Sequence, residues 1–229
     1  MRVRRTSQVI DTLVIIGVGL IGGSLARALR RSGVVGEIVG VGRSAANLEA
    51  AVDLGVIERF EFDAAKAVRG ADMVVVAVTL GASAEILETI GPALDENTFV
   101  TDVGSTKLSV VVSARAALGA RFPNFVPGHP IAGTELSGVK ASFAELFEDH
   151  KVILTPLPET REEALHAVAS LWRATGASVV EMDAAHHDQV LAATSHLPHL
   201  LAYTLVDMLA AAEDSGEIFK FAAGGFRDF

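Results

Sequence analysis

The chain has no cysteine in its 229 residues. That excludes disulfides, thiolate metal ligands and cysteine nucleophiles, and it suits the cytoplasm. Basic charge is also in deficit: 19 Lys and Arg stand against 28 Asp and Glu, a formal net charge of −9. A nucleic-acid surface would normally need a basic excess, so no nucleic-acid partner is expected. No uncharged apolar run reaches the roughly 18 residues of a membrane span. The longest candidate, residues 13–23, is rich in glycine and runs into a polar helix. The opening "MRVRRTSQVID" is basic but has no apolar signal region, and it reads as a short tail.

Hydrophobic residues are plentiful, half of the total, enough for a substantial core. At about 100–200 residues per domain the length fits one large or two small domains. Short β-branched runs predict strands at 12–19, 37–42, 73–78, 98–104, 125–130, 151–156 and 177–183. Helix-like stretches lie between them at 24–32, 45–54, 83–90, 107–118 and 159–175, several stopped by the glycine expected past a last turn. This alternation predicts an α/β, doubly wound and mainly parallel sheet of the Rossmann type. After Asp183 strand-like runs cease and helix takes over, with Pro198 a candidate kink. The predicted division is a dinucleotide-binding domain over 1–183 and a helical domain over 184–229.

Within "VIIGVGLIGGSLARAL" (14–29), Gly17, Gly19 and Gly22 form G-x-G-x-x-G directly after a strand and at the mouth of a helix. In that context Gly17 permits the tight turn, Gly19 admits a pyrophosphate, and Gly22 lets the helix approach the strand. Leu20 and Ile21 fall in the helix's first turn, whose free N–H groups favour phosphate. An NAD site usually places an acid at the end of the second strand. Here that place reads Gly42-Arg43-Ser44, and a guanidinium followed by a hydroxyl suits the 2′-phosphate of NADP. The alternative has Arg43 stacked on adenine or facing solvent, with NAD as cofactor. Val78 and Asp102, each near the end of a predicted strand, complete the cofactor candidates.

Three further stretches are dense in functional residue types. "DVGSTK" (102–107) follows a strand and carries Ser105; "PGHPIAGTELSG" (127–138) holds His129 between a glycine and a proline; "TSHLPH" (194–199) carries His196 and His199. A rigidly held histidine can accept a hydroxyl proton, because imidazole titrates near neutrality. Taken alone, His129 reads more readily as a turn histidine bonded to backbone. His186, His187, His196 and His199 have no H-E-x-x-H pattern, so no metal site is expected.

Taken in order, "GVGLIGGS", "TDVGSTK", "GHPIAGTELSG", "SHLPHLLA" and the closing "GGFRDF" resemble the prephenate/arogenate dehydrogenase family of tyrosine biosynthesis over nearly the whole chain. The resemblance implies oxidative decarboxylation of prephenate to 4-hydroxyphenylpyruvate, or of arogenate to tyrosine. Hydride passes to NAD(P)+ while the ring carboxylate leaves as CO2. It gives His129 and Ser105 catalytic roles at the substrate hydroxyl. It places His196 and His199 on the substrate pocket, and Thr134 and Glu135 where they close or tune it. Lys107 is a weaker substrate-side candidate that could equally cap its loop. The family also carries an arginine just after the "GGFRDF"-type loop, and the chain ends at Phe229, before that position; Arg227 is expected to be structural. The family's helical domain is normally longer and dimerises, which implies a homodimer through the apolar "LPHLLAYTLVDMLAAA".

Overall fold

The computed structural model describes residues 10–223 and Phe226. Residues 1–9 of the basic opening and most of "GGFRDF", Arg227 included, lie outside the described residues. The chain divides after Ala185 into two units.

In the first unit, β1 (Ile10–Ile16), β2 (Val35–Val41), β3 (Arg59–Glu61), β4 (Met73–Val76), β5 (Phe99–Asp102) and β6 (Phe125–Val126) form one parallel sheet in the order β3-β2-β1-β4-β5-β6. The order reverses between β1 and β4, the switch point where sheets of this kind bind ligands. Alternate side chains separate cleanly onto two buried faces. Leu13 and Ile15 join Met73 and Val75 in one apolar cluster, while Val14 and Ile16 join Val74 and Val76 in the other. Burial of both faces is why these strands read as unbroken apolar runs. The helices on the two faces are α1 (Leu20–Ser32), α2 (Ala45–Asp53), α3 (Ala64–Ala67), α4 (Leu80–Ile90), α5 (Leu108–Leu118) and α6 (Glu162–Arg173).

Two departures from the sequence-based expectation matter for the site. The predicted strand 125–130 is not one strand. It breaks at Pro127, which has no N–H to offer a ladder. Val126 ends β6, and Gly128–Pro130 forms β7 in a separate three-stranded sheet with β8 (Lys151–Leu154) and β9 (Ser178–Glu181). There β7 runs antiparallel to β8, with His129 opposite Ile153. His129 therefore sits in mid-strand, not at the carboxyl end of a parallel strand. The second departure is the short edge strand β3, with α3 after it, where no element is predicted. Phe147 and Trp172, with ring centroids 5.3 Å apart, pack beside Val152 and Leu154 and join the small sheet's core to that of the large one.

The second unit is helical. It runs from α7 (Ala184–Leu191) through a π-helical stretch, Ala192–His196, into α8 (Leu197–Ala210), and then to α9 (Ser215–Lys220). Pro198 follows the π-helical stretch in a run already helical at His196 (φ −70°, ψ −41°), so its missing N–H takes one bond out of a continuous ladder. The π turn directly ahead of it is itself a place where helices bend. No described helix is long and apolar enough to cross a membrane.

Candidate active site

The turn after β1 carries the glycines. Gly17 has φ +101°, and a Cβ there would lie 2.2 Å from the Ala77 carbonyl oxygen at the end of β4. At Gly22 a Cβ would meet the Gly17 carbonyl at 2.1 Å and the Ile15 side chain at 2.9 Å. Both positions are closed to any larger residue by the turn's own packing. Gly19 differs, because no heavy atom lies within 4 Å of its would-be Cβ. It is the N-cap of α1 and supplies no capping side chain. The first turn of a 13-residue helix thus opens its N–H groups and positive end to a cleft.

Two cavities meet at this turn. One, of about 410 Å³, is lined by Gly17, Gly19, Gly42, Arg43, Phe62, Val78 and Glu85 among others. The other, of about 530 Å³, is lined by Gly19, Leu20, Ile21, Val78, Gly104, Ser105 and the stretch Leu136 to Gly138. An open helix N-terminus between two such recesses is the shape a dinucleotide fits, with pyrophosphate at Gly19 and a ring system on each side. Arg43 is exposed. The Ser44 hydroxyl is the N-cap of α2 and accepts the Asn47 N–H at 3.3 Å. Its own proton stays available for donation.

Asp102 lies in a buried hydrogen-bond network. Expected at the cofactor, its side chain is 3% exposed and turned into the fold. Oδ2 accepts the Gly104 N–H at 2.8 Å and Lys107 Nζ at 2.6 Å, and Oδ1 accepts the Gly128 N–H at 3.1 Å. Lys107 Nζ also donates to the Gly128 carbonyl at 2.6 Å. Lys107 is fully buried, so it is not on the substrate side. Its ammonium is satisfied within the fold because the flanking core would otherwise strand it. Together the pair grips both backbone groups of Gly128, and Pro130 restricts the backbone on the other side. His129 is presented between them, half-buried.

Thr134 and Glu135 are exposed in the loop 131–138, where Thr134 Oγ1 accepts the Leu136 N–H at 3.2 Å. Ser105 shares a cleft with Gly19 to Ile21 and Val78; His129, Thr134 and Glu135 do not line it. In the second unit His196 ends the π-helical stretch, and His199 Nδ1 donates to the Ser195 carbonyl at 2.8 Å. His187 Nδ1 donates to Asp188 at 2.8 Å. Among the described residues no group of three or more His, Asp or Glu side chains is placed to hold a metal. Asn47, which the motifs pass over, bonds both the glycine turn and the far end of the loop 131–138.

Known proteins resemble this chain over most of its length. The profile of the prephenate dehydrogenase nucleotide-binding domain matches residues 25–181, and that of the prephenate dehydrogenase dimerization domain matches residues 183–229. A cyclohexadienyl dehydrogenase of Zymomonas mobilis is 40% identical over 94% of this chain and 74% of its own length. A prephenate dehydrogenase of Bacillus subtilis is 38% identical over 97% of this chain, which spans 60% of that protein. The crystal structure of prephenate dehydrogenase from Aquifex aeolicus, in complex with hydroxyphenyl propionate and NAD+, superposes with a TM-score of 0.89 at 38% identity, covering 97% of this chain and 78% of that one. The chain belongs to the prephenate dehydrogenase family.

Proposed function

We propose that this chain catalyses the NAD(P)+-dependent oxidative decarboxylation of prephenate or arogenate. The observation that carries the reading is the pairing of an open glycine turn at the sheet's switch point with a histidine strand pinned by a buried ion pair, in a chain of this family. A nicotinamide cofactor held at the glycine turn would supply the acceptor for hydride from the ring carbon that bears the hydroxyl. His129 accepts the proton of that hydroxyl, and Ser105 orients it from the cleft wall. His196 and His199 are the helical unit's candidates for substrate contact, and Thr134 and Glu135 are those of the loop 131–138. Departure of the ring carboxylate as CO2 makes the ring aromatic and drives the reaction forward.

The test is nucleotide reduction by the purified 229-residue chain on adding prephenate, with arogenate run in parallel. Reduced nicotinamide formed with either substrate is the expected result. Nucleotide binding without turnover on both would overturn it.

Arg43 makes NADP+ the preferred cofactor, because Gly42 leaves no acid at the end of β2 to hold a ribose hydroxyl. Arg43→Ala should raise the Kd for NADP+ by about tenfold and leave that for NAD+ unchanged, since an exposed guanidinium–phosphate contact is worth about 1–2 kcal/mol. Equal affinity of the two nucleotides for the unmodified chain would reverse the assignment. The second unit serves as a homodimer interface. In α8, Leu200 and Tyr203 are 62% and 71% exposed, with Leu201 and Met208 similarly uncovered. A second copy would cover that surface.

A further inference from the structure

Asn47 is the third residue of α2, outside every motif of the chain. Its side-chain amide joins two segments far apart in sequence. Nδ2 donates to the Val18 carbonyl at 2.7 Å, and Oδ1 accepts the Val139 N–H at 3.2 Å. Val18 stands between Gly17 and Gly19. Because a trans peptide is planar, the Val18 C=O and the Gly19 N–H point in opposite directions. A donor fixed on that carbonyl therefore fixes the aim of the Gly19 N–H, at the open end of α1.

The other bond ends a loop. Residues 131–138 leave the small sheet where the Ile131 N–H meets the Lys151 carbonyl at 2.8 Å, and they return at Gly138, whose φ is +84°. Leu136, Ser137 and Gly138 wall the same cleft as Gly19, Leu20 and Ser105. Just beyond, the chain is seated on α1: Ser24 Oγ accepts the Phe143 N–H at 3.1 Å, and Arg27 Nε donates to Ser142 Oγ at 2.9 Å. One end of the loop is thus tied through a single carboxamide to the turn that faces the pyrophosphate.

We infer that Asn47 is a positioning residue that couples dinucleotide binding at the glycine turn to the pose of the loop 131–138 over the cleft. The inference rests on the dehydrogenase reading above. A carboxamide suits the task because it offers a donor and an acceptor on one rigid fork. Leucine has the same shape and neither group. Aspartate keeps the acceptor for Val139 but turns a second acceptor on the Val18 carbonyl.

The test compares the unmodified chain with Asn47→Leu and Asn47→Asp, by calorimetric titration with NAD+ and NADP+ and by amide hydrogen exchange of residues 132–137. In the unmodified chain, saturating nucleotide should slow exchange in that loop. In Asn47→Leu the Kd should rise about fivefold to tenfold, as for a lost hydrogen bond, and the slowing should vanish. Asn47→Asp should weaken nucleotide binding at least as much, and it carries the comparison if Asn47→Leu does not fold. Binding and slowing that match the unmodified chain in either folded variant would overturn the coupling. So would an unmodified chain that binds nucleotide without slowed exchange. Failure of the unmodified chain to bind either nucleotide is a different result, which overturns the dehydrogenase reading and the coupling with it.

Discussion

Replacing His129 by alanine should lower kcat by about 10²–10⁴-fold, the usual worth of a positioned general base, and leave the nucleotide Kd unchanged. The separation follows from geometry. His129 lies in β7, and the cavities at the glycine turn are lined by other residues. Removing its ring leaves the helix N-terminus of α1 and the Arg43 recess intact. It also leaves Gly128 gripped by Asp102 and Lys107, because those bonds use backbone groups. His129→Asn sharpens the result. It keeps a polar side chain but cannot take a proton, so kcat should fall about as far as in His129→Ala. The measurement is steady-state kinetics beside calorimetric nucleotide titration. A variant that keeps its kcat would remove His129 from the chemistry. One that loses nucleotide binding would make it a structural residue.

Local signals account for the parts of this molecule that could be read without coordinates. Strands buried on both faces are mostly apolar, so β1, β2, β4, β5 and β8 announce themselves within a few residues of their ends. The glycine turn is legible because its requirements are intrinsic: a positive φ at Gly17 and contacts too close for a Cβ at Gly17 and Gly22. Other features depend on what meets what after folding. "FVPGHP" reads as one strand-like run, and only the chain's change of sheet at Pro127 shows it to be two strands. The edge strand β3 is three residues long with a charge at each end, so it has no periodicity to detect. In the sequence Lys107 reads as a substrate-side candidate or a cap for its loop, only five positions on from Asp102. Its reach to Gly128, 21 positions away, is tertiary. Asn47 gives no signal either, since an asparagine near a helix start reads as ordinary capping chemistry.

Lys107→Met should destabilise the first unit by about 3–5 kcal/mol, because it strands a carboxylate that the fold has removed from water. In a chain of this size that corresponds to a fall in Tm of roughly 6–20 °C. Asp102 would keep the Gly104 and Gly128 N–H groups but lose its counter-ion 2.6 Å away, and the Gly128 carbonyl would lose a donor at the same distance. A structural cation of this kind can be told from a catalytic one by a second substitution. If the harm lies in an unpaired buried charge, Lys107→Met combined with Asp102→Asn should be more stable than Lys107→Met alone, a coupling that thermal unfolding of the four proteins in a double-mutant cycle measures. Additive losses would mean that the two side chains act separately, against the 2.6 Å contact. The effect should also reach the chemistry. Gly128 precedes His129, so releasing its N–H and carbonyl loosens the strand that presents the imidazole, and misplacing a catalytic group by about 1 Å can lower a rate by about 10²-fold. At a temperature where Lys107→Met is still folded, its kcat should therefore fall while its nucleotide Kd holds, because the turn at Gly17 to Gly22 is built from its own packing against β1 and β4.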